Sequence, residues 1–313
     1  MKHAGARAAA RSRLWACLAV AAGLALPAQS GAAEVHPSLA AAASLLIPGA
    51  GQAINGDFGE GAVHLGLELL LVNRYLTILD DDRYLTFDER EDEANHFIDI
   101  NRTTFEADLL GTALLNLSFY SAFGAYRDNR LASENAGFST PAPRETLADL
   151  VTAPYRLEWL TRPTTYVALA LPLVALLIPP SDEQLLFRPD STISREELAV
   201  GFYAQHHMVA LGEEAFFRGV LNNGFSHSFG NRWGLAASSL AFGIGHEGQG
   251  GQATAIGAAL FGAYLGYLQQ ENDFRIGQGV AIHFWWNFLI SLGMLEERET
   301  DQAIRLFSVY LPF

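Results

Sequence analysis

Long apolar runs alternate with short polar connectors along this chain, and the runs lack the charged face that an amphipathic helix of a soluble domain carries. Ser38 to Ile47 is apolar and stops at Pro48-Gly49-Ala50-Gly51-Gln52, and a second run covers Ala62 to Leu79. Proline and glycine end the first helix and free the turn, so the pattern predicts a tight helical hairpin whose first arm is short enough to be re-entrant. Residues 80–93 then set eight acids against Arg83 and Arg90 without the glycine a calcium loop needs, which predicts a solvated acidic loop. Further runs cover Phe105 to Tyr126 and Thr164 to Ile178, the latter closed by Pro179-Pro180. Three more lie at 232–247, 252–269 and 276–295, before an amphipathic tail from Glu296 to Phe313.

Composition agrees with a membrane setting: 50% of the 313 residues are hydrophobic, 17% are charged and the mean hydropathy is +0.14. The expected fold class is all-α, a polytopic membrane helical bundle of about 6–8 transmembrane or re-entrant helices. Residues 1–33 have a basic start, an apolar core from Leu14 to Leu26 and small residues at Ala28, Ser30 and Ala32, the three parts of a cleavable signal peptide. Cys17, the only cysteine, lies in that core, which excludes an intramolecular disulfide. Taking away the four cations of this segment moves the net charge from −14 to −18, and so acidic a chain offers nucleic acid no basic stripe. Arg127, Arg130, Arg144, Arg156 and Arg162 mark the connection after the third run as cytoplasmic by the positive-inside rule. The expected location is the bacterial inner membrane, multi-pass, with the lipid bilayer as a partner. Three regions follow: the signal at 1–33, an N-terminal membrane region at 34–160 that includes an interfacial helix over Glu145 to Leu160, and a third at 161–313.

Candidate chemistry begins at Glu213-Glu214-Ala215-Phe216-Phe217-Arg218, three ionisable groups inside an apolar stretch. Such groups cost a few kcal/mol each at membrane depth unless paired or hydrated. Ser194 and Glu197 form a capping-box pattern that launches this helix. On it Glu214 and Arg218 stand one above the other as an ion pair, while Glu213 turns about 100° away. The next run places Phe242 and His246 on one face, and a turn near His227 to Gly230 brings His246 to the depth of Glu213 in an antiparallel pair. The last run stacks His283 and Asn287. His206 and His207 are weaker candidates for lining a cavity, His64 and Glu68 for a buried pair, and His227 is expected in a solvated turn. Gly262 and Gly266 form a small-xxx-small pair that lets helices approach.

The series Glu-Glu-x-x-x-Arg, Phe-x-x-x-His and His-x-x-x-Asn, in this order over roughly residues 195–295, resembles the CAAX prenyl protease 2 and bacteriocin-immunity-like (CPBP, or Abi) intramembrane proteases. The resemblance implies an intramembrane endopeptidase acting on a membrane-associated peptide or protein. It implies that Glu213 activates a water with help from His246, that His283 and Asn287 steady the oxyanion, and that Glu214, Arg218 and Phe242 support the site. A zinc site of Glu213, His246 and His283 stays open, with no metal obligatory, because the soluble spacing His-Glu-x-x-His is absent. A non-catalytic membrane scaffold or bacteriocin-tolerance protein built on the same polar cluster is the alternative, and a di-iron oxidase is disfavoured by the few clustered histidines.

Overall fold

The computed structural model describes residues 35–92, 97–133, 137–177, 186–247 and 251–295. The predicted signal peptide and the amphipathic tail after Leu295 lie outside the described residues. What is described is predominantly helical. The N-terminal hairpin consists of α1 (Pro37–Leu46), a single extra turn α2 (Ala50–Ile54) and α3 (Phe58–Leu79). Gly49, at φ 93°, makes the turn, and Gly61 packs so close that a Cβ on Gly49 would sit 2.1 Å from its carbonyl oxygen. Gln52 staples the hairpin to the next helix: its Oε1 accepts from Ser44 Oγ at 2.7 Å and its Nε2 donates to the Ser121 carbonyl at 2.9 Å.

A short helix α4 (Phe87–Arg90) leads to strands β1 (Glu91–Asp92) and β2 (Phe97–Ile100), then to the 31-residue α5 (Arg102–Ala132). The amphipathic connector is α6 (Leu147–Thr152), a 3-10 turn at Ala153–Tyr155 and α7 (Leu157–Leu160); Pro154 lies in the turn. After α8 (Pro163–Leu177) comes strand β3 (Leu186–Pro189). The remaining helices are α9 (Arg195–Glu213), a π-helix at Glu214–Asn222, α10 (Asn223–Phe229), α11 (Asn231–Gly245), α12 (Gly251–Glu271) and α13 (Gly277–Gly293).

Two features depart from a purely helical reading. The acidic loop and the connection before α9 contribute a three-stranded sheet, β1 antiparallel to β2 and β2 parallel to β3. Its cause is the alternation in Phe97-Ile98-Asp99-Ile100, which buries Ile98 and Ile100 against Phe105, Leu198, Phe202 and Leu295. Among the described residues, one helix, Phe58–Leu79, is long and apolar enough to cross a membrane; Pro37–Leu46 and Pro163–Val174 are shorter apolar helices. α11 and α13 are 15 and 17 residues long, short of the roughly 20 a full span takes.

The core that matters for the site wraps around α13. Val280, Ala281 and Phe284 pack with Phe123 and Tyr126 of α5, Leu150 and Trp159 of the connector, and Ala210 and Ala215 beside the glutamate pair. α9 starts with the predicted capping box: Ser194 Oγ accepts from Glu197 N at 3.1 Å and Glu197 Oε2 accepts from Ser194 N at 2.9 Å.

Candidate active site

The sequence brings its polar residues to one place through three helices and one irregular turn. α9 delivers Glu213 at its last position, and the backbone then widens into the π-helix, which carries Glu214 and Arg218. Gly230, at φ 83°, reverses the chain so that α11 runs back alongside and is capped at its end by His246. α13 packs against α9 and presents His283 and Asn287.

Glu214 and Arg218 are fully buried, and Arg218 Nε lies 3.2 Å from Glu214 Oε2. The guanidinium sits over the Phe242 ring at 4.3 Å, and Nη2 reaches the Gly262 carbonyl at 3.4 Å. Gly262 leaves little spare room there, since a Cβ would come 3.2 Å from Phe242 and 3.4 Å from Arg218 Nη2. Gly266, the other half of the small-residue pair, clears Leu235 of α11, which its Cβ would meet at 2.7 Å.

His283 is buried, and its Nδ1 lies 2.9 Å from Glu214 Oε1; a carboxylate oxygen accepts, so Nδ1 carries the proton. His246 is fixed in the same way, its Nδ1 donating to the Phe242 carbonyl at 2.7 Å. Both rings therefore turn Nε2 toward Glu213 Oε2, at 3.7 Å from His246 and 3.8 Å from His283. These separations are too long for hydrogen bonds, and Glu213 Oε2 is a buried oxygen with no hydrogen-bond partner. Asn287 stands one turn beyond His283, half-buried and with no hydrogen-bond partner among the described residues.

Glu213, His246 and His283 are thus brought together, with Glu214, Arg218 and Phe242 behind them, and Asn287 lies along the same helix. Sequence reasoning missed three contributors. The π-helix has no composition signal. Gln269 of α12 donates to the Arg218 carbonyl at 2.8 Å, and Asn222 donates to Gln269 Oε1 at 2.6 Å, a buried amide pair whose only sequence trace is polarity within an apolar run.

The weaker candidates have other duties. His206 Nε2 lies 2.7 Å from Ser291 Oγ, tying α9 to α13, and His207 donates from Nε2 to the Val151 carbonyl at 2.9 Å. His64 and Glu68 are both buried in α3, where His64 Nε2 lies 3.6 Å from Glu60 Oε1. His227, expected in a solvated turn, is half-buried at the end of α10, where its Nδ1 accepts from Ser139 N at 3.1 Å in an exposed contact and its ring packs on Phe138 at 4.3 Å.

The zinc alternative can be tested on the donor atoms. The arrangement has the outer partners of a zinc-ligating histidine pair, a carboxylate behind one ring and a carbonyl behind the other. Bonds of 2.0–2.1 Å to a tetrahedral ion put ligand atoms roughly 3.4 Å apart, and both oxygen-to-nitrogen separations here are wider. Among the described residues no group of three His, Cys, Asp or Glu side chains is placed to hold a metal ion.

Residues 196–289 match the family model of Rce1-like proteins, type II CAAX prenyl endopeptidases, a family of membrane-embedded proteases. The match bears out the resemblance carried by the three motifs, over this part of the chain. No curated protein and no solved structure matches the chain.

Proposed function

We propose that the protein is an intramembrane endopeptidase in which Glu213 activates a water against a peptide bond of a membrane-associated substrate. The observation that supports this most is Glu213 Oε2, a buried carboxylate oxygen without a partner, faced by two imidazole Nε2 atoms. A water seated between them donates one proton to Glu213 and the other to His246 Nε2, which its own Nδ1 bond keeps free to accept. Glu213 takes the first proton as the water oxygen attacks the carbonyl carbon. The proton then passes to the amine as the C–N bond breaks.

His283 and Asn287 stabilise the tetrahedral oxyanion as fixed donors in a site poor in water. With Nδ1–H committed to Glu214, donation from Nε2 requires the doubly protonated ring, and the carboxylates on either side of it supply the countercharge. Arg218 balances Glu214 and holds it for this task. The setting is a bilayer crossed several times, with α3 as one span and α8 to α13 packed into the bundle, in a bacterial inner membrane. The substrate is a peptide or protein of that membrane; a prenylated terminus is not required by any of these residues.

The test is Glu213→Gln, which keeps shape and removes the base. Cleavage of a peptide library by detergent-solubilised protein is expected to fall by about 10²–10⁴-fold with the unfolding transition unmoved. Turnover that survives this substitution would sink the assignment. The scaffold reading then takes its place.

A further inference from the structure

The catalytic helix α13 begins at a glycine, against the connector between α5 and α8. Two contacts fix its start. The Glu145 carboxylate is buried, 7% exposed, and its Oε1 accepts from Ile276 N at 2.6 Å and from Gly277 N at 3.4 Å. Trp159 lies against Gly277, whose Cβ would sit 2.6 Å from the indole nitrogen. Two residues on, Gly279 approaches Glu214 so closely that a Cβ would lie 2.8 Å from Oε2. The first turn of α13 is therefore wedged between the connector and the glutamate that holds His283.

Glu145 is itself anchored, since Arg127 of α5 donates from Nη1 to its main-chain carbonyl at 3.1 Å and also binds Asp128. Farther along, Trp285 Nε1 donates to the Pro154 carbonyl at 2.9 Å. From Ile276 to His283 is seven residues, about 10 Å of rigid helix, so an axial shift at the cap reappears at the imidazole. A shift of half an ångström matters there, because His283 Nδ1 and Nε2 both work at defined distances from carboxylates.

We propose that Glu145 is a positioning residue: by accepting the first amide hydrogens of α13 it sets the height of His283 and Asn287 against Glu213. It touches no reacting atom. Burial pushes its carboxyl above the ordinary value, and the hydrogen bond from Ile276 pulls it back. The cap also ties the catalytic helix to a segment outside the family match, which covers 196–289.

This inference rests on the proposed peptidase only for its kinetic readout, so the experiment carries two. Glu145→Asp withdraws the oxygen by one methylene; Glu145→Gln keeps an oxygen in place without the charge. For Glu145→Asp we expect kcat to fall about tenfold or more with KM within about twofold, and amide hydrogen exchange of residues 276–283 to quicken about tenfold. Glu145→Gln restores both to within about threefold of the parent. Unchanged exchange and kcat in Glu145→Asp overturn the proposal, and so does the reverse order, with aspartate tolerated and glutamine not, which would assign the effect to charge. If the parent protein cleaves nothing while Glu145→Asp still frees the helix start, the positioning role stands and the peptidase reading falls.

Discussion

Removing Arg218 while leaving Glu214 in place should be among the most destabilising single changes in the bundle. Arg218→Met keeps the aliphatic stem against Phe242 but leaves the Glu214 carboxylate, 0% exposed, with His283 Nδ1 as its remaining partner. Breaking a buried pair in this way costs about 3–5 kcal/mol, and the lost guanidinium over Phe242 adds about 0.5–2 kcal/mol. A domain of ordinary stability holds about 5–15 kcal/mol, so a large part of the margin disappears. Glu214→Gln costs similarly from the other side, by leaving Arg218 charged and buried. The double variant removes both charges together, and its destabilisation should fall short of the summed singles by about 2–3 kcal/mol. Reversible unfolding of the four proteins in mixed micelles measures the cycle. Additivity to within about 0.5 kcal/mol would refute the reasoning, since it would mean that water screens the pair and that the site is a wet edge rather than a closed interior.

Two further outcomes follow from the same geometry. Gly243 of α11 faces α12, where a Cβ would meet the Ala255 carbonyl at 2.6 Å and Ala259 Cβ at 2.8 Å, so Gly243→Val should cost about 1–3 kcal/mol in the same unfolding assay. A cost near zero would show that the two helices have room to slide. Chelation of active protein should leave turnover within about twofold, because Glu213 and the two Nε2 atoms stand wider apart than zinc ligands. Stoichiometric zinc in active protein, lost together with turnover, would reverse that conclusion.

The helical class and most helix positions were legible because apolar runs punctuated by Pro and Gly leave few alternatives, as at Pro48-Gly49 and Gly230. The juxtaposition of Glu213 with His246 was legible too, since an antiparallel pair about a known turn fixes depth by residue count alone. The small sheet was hidden by composition: Phe97 to Ile100 follows a dense acidic stretch, and its parallel partner lies some 90 residues away. The cap at Glu145 was hidden for a different reason. A carboxylate in a connector has no periodicity to betray it, and its partners are backbone amides 131 and 132 residues on. Hydropathy read the polar helices as spans of similar standing, whereas their lengths and charges set them apart from α3.

The helical wheel predicted that Glu213 and Glu214, about 100° apart, would serve different neighbours. Instead both address one imidazole: Glu214 Oε1 lies at Nδ1 and Glu213 Oε2 faces Nε2 of His283. The π-helix begins between these two residues, yet both keep α-helical dihedrals, φ −67° ψ −43° at Glu213 and φ −66° ψ −40° at Glu214, so their side chains still leave the backbone about 100° apart. His283 stands between the two directions, so the two consecutive acids meet opposite edges of a single ring. Within the π-helix the Arg218 carbonyl accepts from Gln269 of α12, which gives a buried glutamine its partner in an otherwise apolar face. The one imidazole thus joins the buried Glu214–Arg218 pair to the Glu213 oxygen that has no partner of its own.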